Sequence, residues 1–414
     1  MRLGIDFGTT NSAVAVLDDD GPRIVELAPG ERTQRTVIHA SLDGEVRFGN
    51  AAFRRYLEED LSGRFLRSLK AFLAQNVPRT RLVGRTYSFD QLVAAYLRYL
   101  VDTAERVLGA KAEHVVVGRP VRYAAEPGRD AEALARFEAA IAEAGLASYE
   151  LQLEPVAAAY AYERRLDRER IAFVGDFGGG TADFAVFRAG PGRLGQDRLD
   201  DVLGTAGVAQ AGDALDGRFL ETFLLDAFGK GATIRKRYTD EQVPWDHDLF
   251  RQIPRLYALH LLRTRELEEG LQRAEDWVSD PAAVRRLRRL VFDDLGYPLA
   301  WAIEASKRAL SDAPTTAFRF DDVGPALAIE RTVSLDRFAE GSAGLLAQYD
   351  EAVTEALAAA GVAEGDVDDV FLTGGTSQLP FVQDLFAARF DRERLRSADA
   401  FTSVCEGLAV AAGR

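Results

Sequence analysis

Cysteine is nearly absent from this chain of 414 residues, with Cys405 the single one. That excludes a disulfide framework and a cysteine-based zinc site, and it fits a reducing compartment. Its place in a C-terminal apolar stretch reads as a small buried hydrophobe, not a nucleophile. No apolar run approaches the ~20 residues that span a bilayer. Arg2 already enters a strand pattern, with no charged lead and apolar stretch before it. No signal peptide is therefore expected, and the expected location is the cytoplasm. Lysine is scarce as well: Lys70, Lys111, Lys230, Lys236 and Lys307 are the only five among 51 basic residues. Where arginine is the default, each remaining lysine marks a position to inspect. The net charge of −14 argues against nucleic-acid and membrane partners. A Pro/Ser-rich linker and a low-complexity tail are missing. So is a Walker A loop, since Gly229-Lys230 runs into Gly231 without the upstream glycine spacing.

What is present is a repetition. Leu3-Gly4-Ile5-Asp6-Phe7-Gly8-Thr9-Thr10-Asn11-Ser12 returns 170 positions later as Phe173-Val174-Gly175-Asp176-Phe177-Gly178-Gly179-Gly180-Thr181-Ala182-Asp183. Each segment is an apolar run ending in Asp, a turn of small residues and a second apolar run, the pattern of a β-hairpin. Glycines let backbone N–H groups approach an anion closely, and hydroxyls add donors without bulk. An Asp in such a turn repels a bare phosphate and so implies a bridging hard cation, most simply Mg²⁺. Two such turns point to a duplicated fold that clamps a polyphosphate. The Asp-Phe-Gly triplets are not a protein-kinase signature, because no His-Arg-Asp loop or Gly-rich loop with its strand lysine accompanies them.

The periodicity predicts strands over 2–6, 13–17 and 23–27, helices over 49–59 and 63–74, and a long helix from Phe89 to Leu108 with Ser88 as N-cap. A buried strand follows at 114–118, a helix around 128–144, and a strand at 149–153. Glu154 and Pro155 then open an alanine-rich helix suited to close packing. From 212 to 311 the pattern is mainly helical and charged. Strands near 316–321 and 326–331, a helix at 335–360, a buried strand at 370–373 and helices at 379–388 and 399–412 complete the chain. The same order of elements in both halves makes the fold class α/β, with two related lobes. Residues 1–170 plus 398–414 are expected to form lobe I and 171–397 lobe II.

Three further groups carry chemistry. Glu154-Pro155 stands 22 residues before Asp176. Gly374-Gly375-Thr376 ends a strand and begins a helix, a place that suits phosphate. Glu304, Lys307, Arg308 and Ser311 share one face of a helix. Carboxylate and ammonium there could bind ribose hydroxyls and the guanidinium could stack on adenine, although a solvated face with an i,i+4 ion pair gives the same pattern.

Together and in this order, these pieces resemble the nucleotide-binding domain of the seventy-kilodalton heat-shock chaperones, the DnaK family, within the actin-like ATPase superfamily. The resemblance implies the actin-like, duplicated ribonuclease H-like fold with two lobes around a nucleotide cleft. It implies ATP or ADP with Mg²⁺ as cofactors and slow ATP hydrolysis. Asp6, Glu154 and Asp176 would hold Mg²⁺, largely through its water shell. Gly8, Thr9, Thr10 and Asn11, with Gly178, Gly179, Gly180 and Thr181, would cradle the phosphates. Lys70, Glu154, Asp176 and Thr181 would be catalytic, Lys70 positioning the attacking water. Gly212, Glu304, Lys307, Arg308, Ser311, Gly374, Gly375, Thr376, Gln378 and Asp399 would contact the nucleoside.

Gln378 departs from the family, which has an Arg there, and Ala211-Gly212-Asp213 replaces its Gly-Gly-acid. Gly118-Arg119-Pro120-Val121 and Arg67-Ser68-Leu69-Lys70-Ala71-Phe72-Leu73 look more like the short YegD-type branch. The sequence stops at Arg414, so neither interdomain linker nor client-gripping sandwich is expected, and the protein partner, a client or regulator, stays open. A small-molecule kinase and a filament-forming actin homologue share the phosphate turns. The helix around Lys307 speaks against both.

Overall fold

The computed structural model describes the chain except residues 60, 76–78, 164–165, 192–198, 237–238, 240, 246–247, 398–402 and 414. Two compact units are resolved. The first comprises Met1–Gly212, Gln348–Ser377 and Val382–Arg414, and the second Asp213–Ala347 with Gln378–Phe381.

The first unit contains two sheets wired alike. In one, the hairpin Arg2–Phe7/Asn11–Asp18 is extended by Gly21–Ile24 on one side. On the other side the parallel strands His114–Arg119 and Tyr149–Leu153 follow. The other sheet has the hairpin Arg170–Phe177/Ala182–Ala189, extended by Val202–Val208 and by the parallel strands Asp369–Thr373 and Leu395–Ser397. Leaving aside the two-residue strand Gln34–Arg35, which pairs with Asn11–Asp18 in the first sheet, both sheets run third, second, first, fourth, fifth in chain order. The repetition read in the turns therefore extends to whole sheets. Arg2–Phe7 and Arg170–Phe177 belong to separate sheets.

Parallel strands are covered on both faces and so read as unbroken apolar runs; Val115, Val116 and Val117 are all buried. The cover includes two helices, Glu154–Glu163 and Ser403–Ala412. Val156, Ala157 and Tyr160 of the first and Leu408 of the second share one core with Val116, Val174, Ala185 and Phe187. Their backbones touch: a Cβ at Gly407 would collide with the Ala157 carbonyl. Small residues in both helices thus set the crossing. Cys405 is fully buried against the Gly4 carbonyl, as a small core residue.

Most predicted elements form within a residue or two. Ser88 and Gln91 make a reciprocal cap on the helix Phe89–Leu108. The helix expected at 63–74 does not form. Arg64–Arg67 is a strand paired with Val37–Ala40, and Ser68 turns left-handed (φ 52°) into a single 3-10 turn, Leu69–Phe72. Helical spacing of Phe65, Leu66, Leu69 and Phe72 was a false lead, because a distant strand captured the first two. Near 326–331 the strand begins only at Ile329, after a 3-10 turn at Pro325–Leu327. The last helix starts at Ser403, and its expected beginning lies outside the described residues.

The second unit holds the helices Arg265–Ala274, Pro281–Phe292 and Gly296–Asp312, with the hairpins Thr233–Arg235/Gln242–Pro244 and Thr315–Phe320/Ile329–Ser334. Among the described residues no helix is long and apolar enough to cross a membrane.

Candidate active site

Both hairpins of the first unit end in four-residue turns, Gly8–Asn11 between paired Phe7 and Ser12, and Gly178–Thr181 between paired Phe177 and Ala182. Thr36 braces the first turn: its hydroxyl donates to the Gly8 carbonyl (2.8 Å) and its N–H to the Thr10 carbonyl (2.8 Å). In the second, Gly178 N–H donates to the Thr181 carbonyl (2.9 Å).

The two turns meet. A Cβ at Gly179 would strike Thr10 Oγ1, and one at Gly180 would lie 2.9 Å from Thr9 Oγ1. The triple glycine is therefore demanded by the opposing threonines as well as by turn geometry. Gly212 N–H donates to the Gly178 carbonyl (3.1 Å). Gly374, left-handed at φ 84°, packs where any side chain would strike the Phe177 carbonyl. Gly375, Thr376 and Gln378 form the 3-10 turn after it. The second turn, Gly212 and the Gly374 corner are thus one backbone-rich surface of the first unit.

Four carboxylates and one ammonium gather at the strand ends. Asp6 is the last residue but one of its strand, and Asp176 faces Asp183 directly across the second hairpin. Glu154 is the first residue of its helix and forms a buried ion pair with Lys70, which the 3-10 turn delivers. Both side chains are over nine-tenths buried. Burial opposes the charge on Lys70, but the Glu154 carboxylate and then Asp6 outweigh it, so the ammonium is held above its ordinary pKa. Burial, and next the Glu154 charge, push Asp176 up to about 6, against a 2.8 Å hydrogen bond from Thr373 Oγ1. Burial and Glu154 also hold Asp6 and Asp183 well above the ordinary carboxylate range. Asp183 accepts from Val121 N–H on one oxygen, and the nearby Thr181 side chain lowers its pKa in part. Its Oδ2 is buried without a partner.

This arrangement is short of positive charge. An orphaned carboxylate oxygen and three acids that hold protons tightly suit a divalent cation. Among the described residues no three acidic, histidine or cysteine side chains stand close enough to ligate one ion directly. The donor set suits a cation that keeps its water shell, as Mg²⁺ does.

Tyr123 completes the surroundings. It is 8% exposed, two residues beyond the Val121 amide that holds Asp183, and its hydroxyl has no partner. Its backbone N–H is pinned by Asp130 Oδ1 (2.6 Å). Burial and then the Glu154 charge push its phenol well above the ordinary range, so it stays a neutral donor.

Glu304, Lys307, Arg308 and Ser311 lie on the helix Gly296–Asp312 of the second unit. Lys307 Nζ is bound to Asp216 (2.6 Å), and Arg308 pairs with Glu304 (2.9 Å) across an exposed face. Ser311 Oγ lies 3.4 Å from the Lys307 carbonyl. Asp399 lies outside the described residues.

Sequence reasoning passed over three residues as site members. Asp183 had a signal: the first hairpin places Ala13 opposite Asp6, where the second places an acid opposite Asp176. Asp216 and Tyr123 had none, since each acts through a residue distant in sequence.

Two sheets of the same order, each ending in a small-residue turn and brought together over a carboxylate cluster, define the actin-like ATPase fold. The model of the family described as Hsp70 protein matches residues 2–243 and 295–413. The chain belongs to the Hsp70 family, ATP-binding chaperones that are ATPases, and what matches is the nucleotide-binding domain. Residues 244–294, with the helices Arg265–Ala274 and Pro281–Phe292, fall outside the match.

Proposed function

We propose that this chain binds Mg·ATP and hydrolyses it slowly by in-line attack of water, as a nucleotide-driven switch for a protein partner. The observation that carries this reading is the buried cluster of Asp6, Glu154, Asp176 and Asp183 around Lys70, at the base of two opposed glycine turns.

Asp6, Asp176 and Glu154 would hold the magnesium water shell, with Asp183 as a fourth acid. Magnesium would supply neutralising charge to the phosphate oxygens. Amides of Gly8–Thr10 and Gly178–Thr181 offer donors to the phosphates. Lys70, paired with Glu154, would offset charge on the γ-phosphoryl group and position the attacking water. Asp176 orients that water, and the Thr181 hydroxyl steadies Asp183. The Tyr123 hydroxyl, neutral and unpartnered, would donate to a water of the magnesium shell beside Glu154 and Asp183.

Gly212, Gly374, Gly375, Thr376 and Gln378, with Glu304, Lys307, Arg308, Ser311 and Asp399, would serve the nucleoside. Lys307 would then share its ammonium between Asp216 and ribose. The two lobes, 1–170 with 398–414 and 171–397, would close on ATP and relax after hydrolysis. Each lobe would then carry one of the two sheets. Residues 212–311, which include the segment outside the family match, are the candidate partner surface. Membership of the short YegD-type branch and a cytoplasmic location belong to the same reading.

Phosphate release from Mg·ATP, measured with and without sugars, tests it together with sedimentation in ATP. The expected result is slow release, indifferent to sugars, by a protein that stays in the supernatant. Sugar-dependent turnover or ATP-dependent pelleting would replace the switch by a kinase or a filament. Within the site, Tyr123→Phe is expected to lower kcat about 10-fold while the affinity for ATP stays the same, since one hydrogen bond is removed and the ring is kept. Wild-type single-turnover hydrolysis in that variant would take Tyr123 out of the site.

A further inference from the structure

The second unit carries a cavity of about 310 Å³ that shares no lining residue with the proposed nucleotide site. Three stretches line it, with Lys230 beyond the first. They are the end of the helix Gly212–Phe223 with the 3-10 turn Leu225–Phe228, the strand Ile329–Ser334, and the start of the helix Leu335–Ala360. Phe223 and Leu225 give it an apolar wall. Lys230, Arg331 and Arg337 stand around that wall, together with Glu221 and Asp226.

These charges do not cancel. Glu221 is taken by Arg218 outside the cavity (2.7 Å), and Asp226 pairs loosely with Arg331 (3.5 Å). Among the described residues neither Lys230 nor Arg337 has a carboxylate partner. Arg337 is held in another way: its guanidinium lies over the Phe223 ring, 5.3 Å from the centroid, and reaches the Thr222 carbonyl at 3.4 Å. A cation–π contact of this kind holds the guanidinium near the ring and leaves donors free for a ligand. Lys230 is one of five lysines in a chain of net charge −14. Two cations without carboxylate partners at one concavity present matching charge to an anion. The volume falls at the small end of the range for small-molecule sites.

We propose that this cavity binds a small molecule bearing an oxyanion, held by Lys230 and Arg337 with its short apolar body against Phe223 and Leu225. Carboxylates and phosphates share the chemistry required. Arg337 offers parallel donors to two oxygens, and Lys230 adds a point charge.

Calorimetric titration of the full chain with succinate and, separately, with inorganic phosphate distinguishes the two sources. Mg²⁺ and a non-hydrolysable ATP analogue are kept present so that phosphate does not enter the proposed nucleotide site. At least one anion should bind one-to-one, more weakly as KCl is raised. Lys230→Ala and Arg337→Ala should each weaken that binding about 10-fold, the loss of one charge-assisted contact. Both side chains are exposed, so melting curves of the variants should match the parent, as should their ATP hydrolysis. Failure of both anions to bind, or binding that neither substitution weakens, would overturn the proposal. That result would leave the nucleotide reading untouched, because no residue is shared.

Discussion

Lys70→Ala is expected to slow ATP hydrolysis by roughly 10²-fold or more while ATP binding stays largely intact, the usual cost of losing one preorganised charge donor. Lys70 arrives on a short 3-10 turn and is buried against Glu154, so its position is fixed before nucleotide binds. The same substitution has a second consequence without nucleotide. Glu154 loses its ion-pair partner while Asp6, Asp176 and Asp183 remain beside it. Breaking a buried pair by deleting one partner costs about 3–5 kcal/mol. The loss should be smaller at pH 5, where the acids take up protons instead. Single-turnover phosphate release and urea melts at the two pH values check both halves. Near-normal hydrolysis would remove Lys70 from the active site.

Asp176→Asn is expected to move function and stability in opposite directions. Without nucleotide the folded protein holds the Asp176 proton more tightly than the unfolded chain does, since its pKa is raised from 3.8 to about 6. A raised carboxylate pKa favours the folded state below the unfolded pKa, and that advantage is lost as pH rises through 6. At pH 8 the ionised group therefore destabilises the apoprotein, by up to about 3 kcal/mol if the whole shift is counted. Asn removes the charge and can still accept from Thr373. The variant should melt later than the parent at pH 8, melt at nearly the same temperature at pH 4, and bind Mg·ATP poorly. Asp6→Asn, from the same cluster, should do likewise. Lower stability at pH 8 together with normal Mg·ATP binding would contradict both the electrostatics and the role.

The glycine hairpins were legible because their chemistry is local: an Asp, a turn of small residues and two apolar runs lie within about a dozen positions. Helix Phe89–Leu108 was legible for the same reason, its cap and its apolar stripe being written side by side. Residues 64–72 were not. Their fate was decided by the strand Val37–Ala40, and the left-handed Ser68 carries no glycine to announce it. The acids and the lysine of the site could be nominated one by one, but the pairing of Lys70 with Glu154 spans 84 positions and that of Lys307 with Asp216 spans 91. Spacing along the chain does not encode such partners. The family match and the shared strand order account for the repetition, whereas the charge balance inside the cluster depends on contacts between residues far apart in sequence.

Calorimetric titration of ATP into the wild-type chain, with Mg²⁺ and again with EDTA, tests the central claim most directly. One-to-one binding that weakens sharply when the metal is withdrawn, and weakens likewise in Asp176→Asn with the metal present, is the result predicted. Binding that ignores both the metal and the substitution, or no binding of ATP at all, would contradict it.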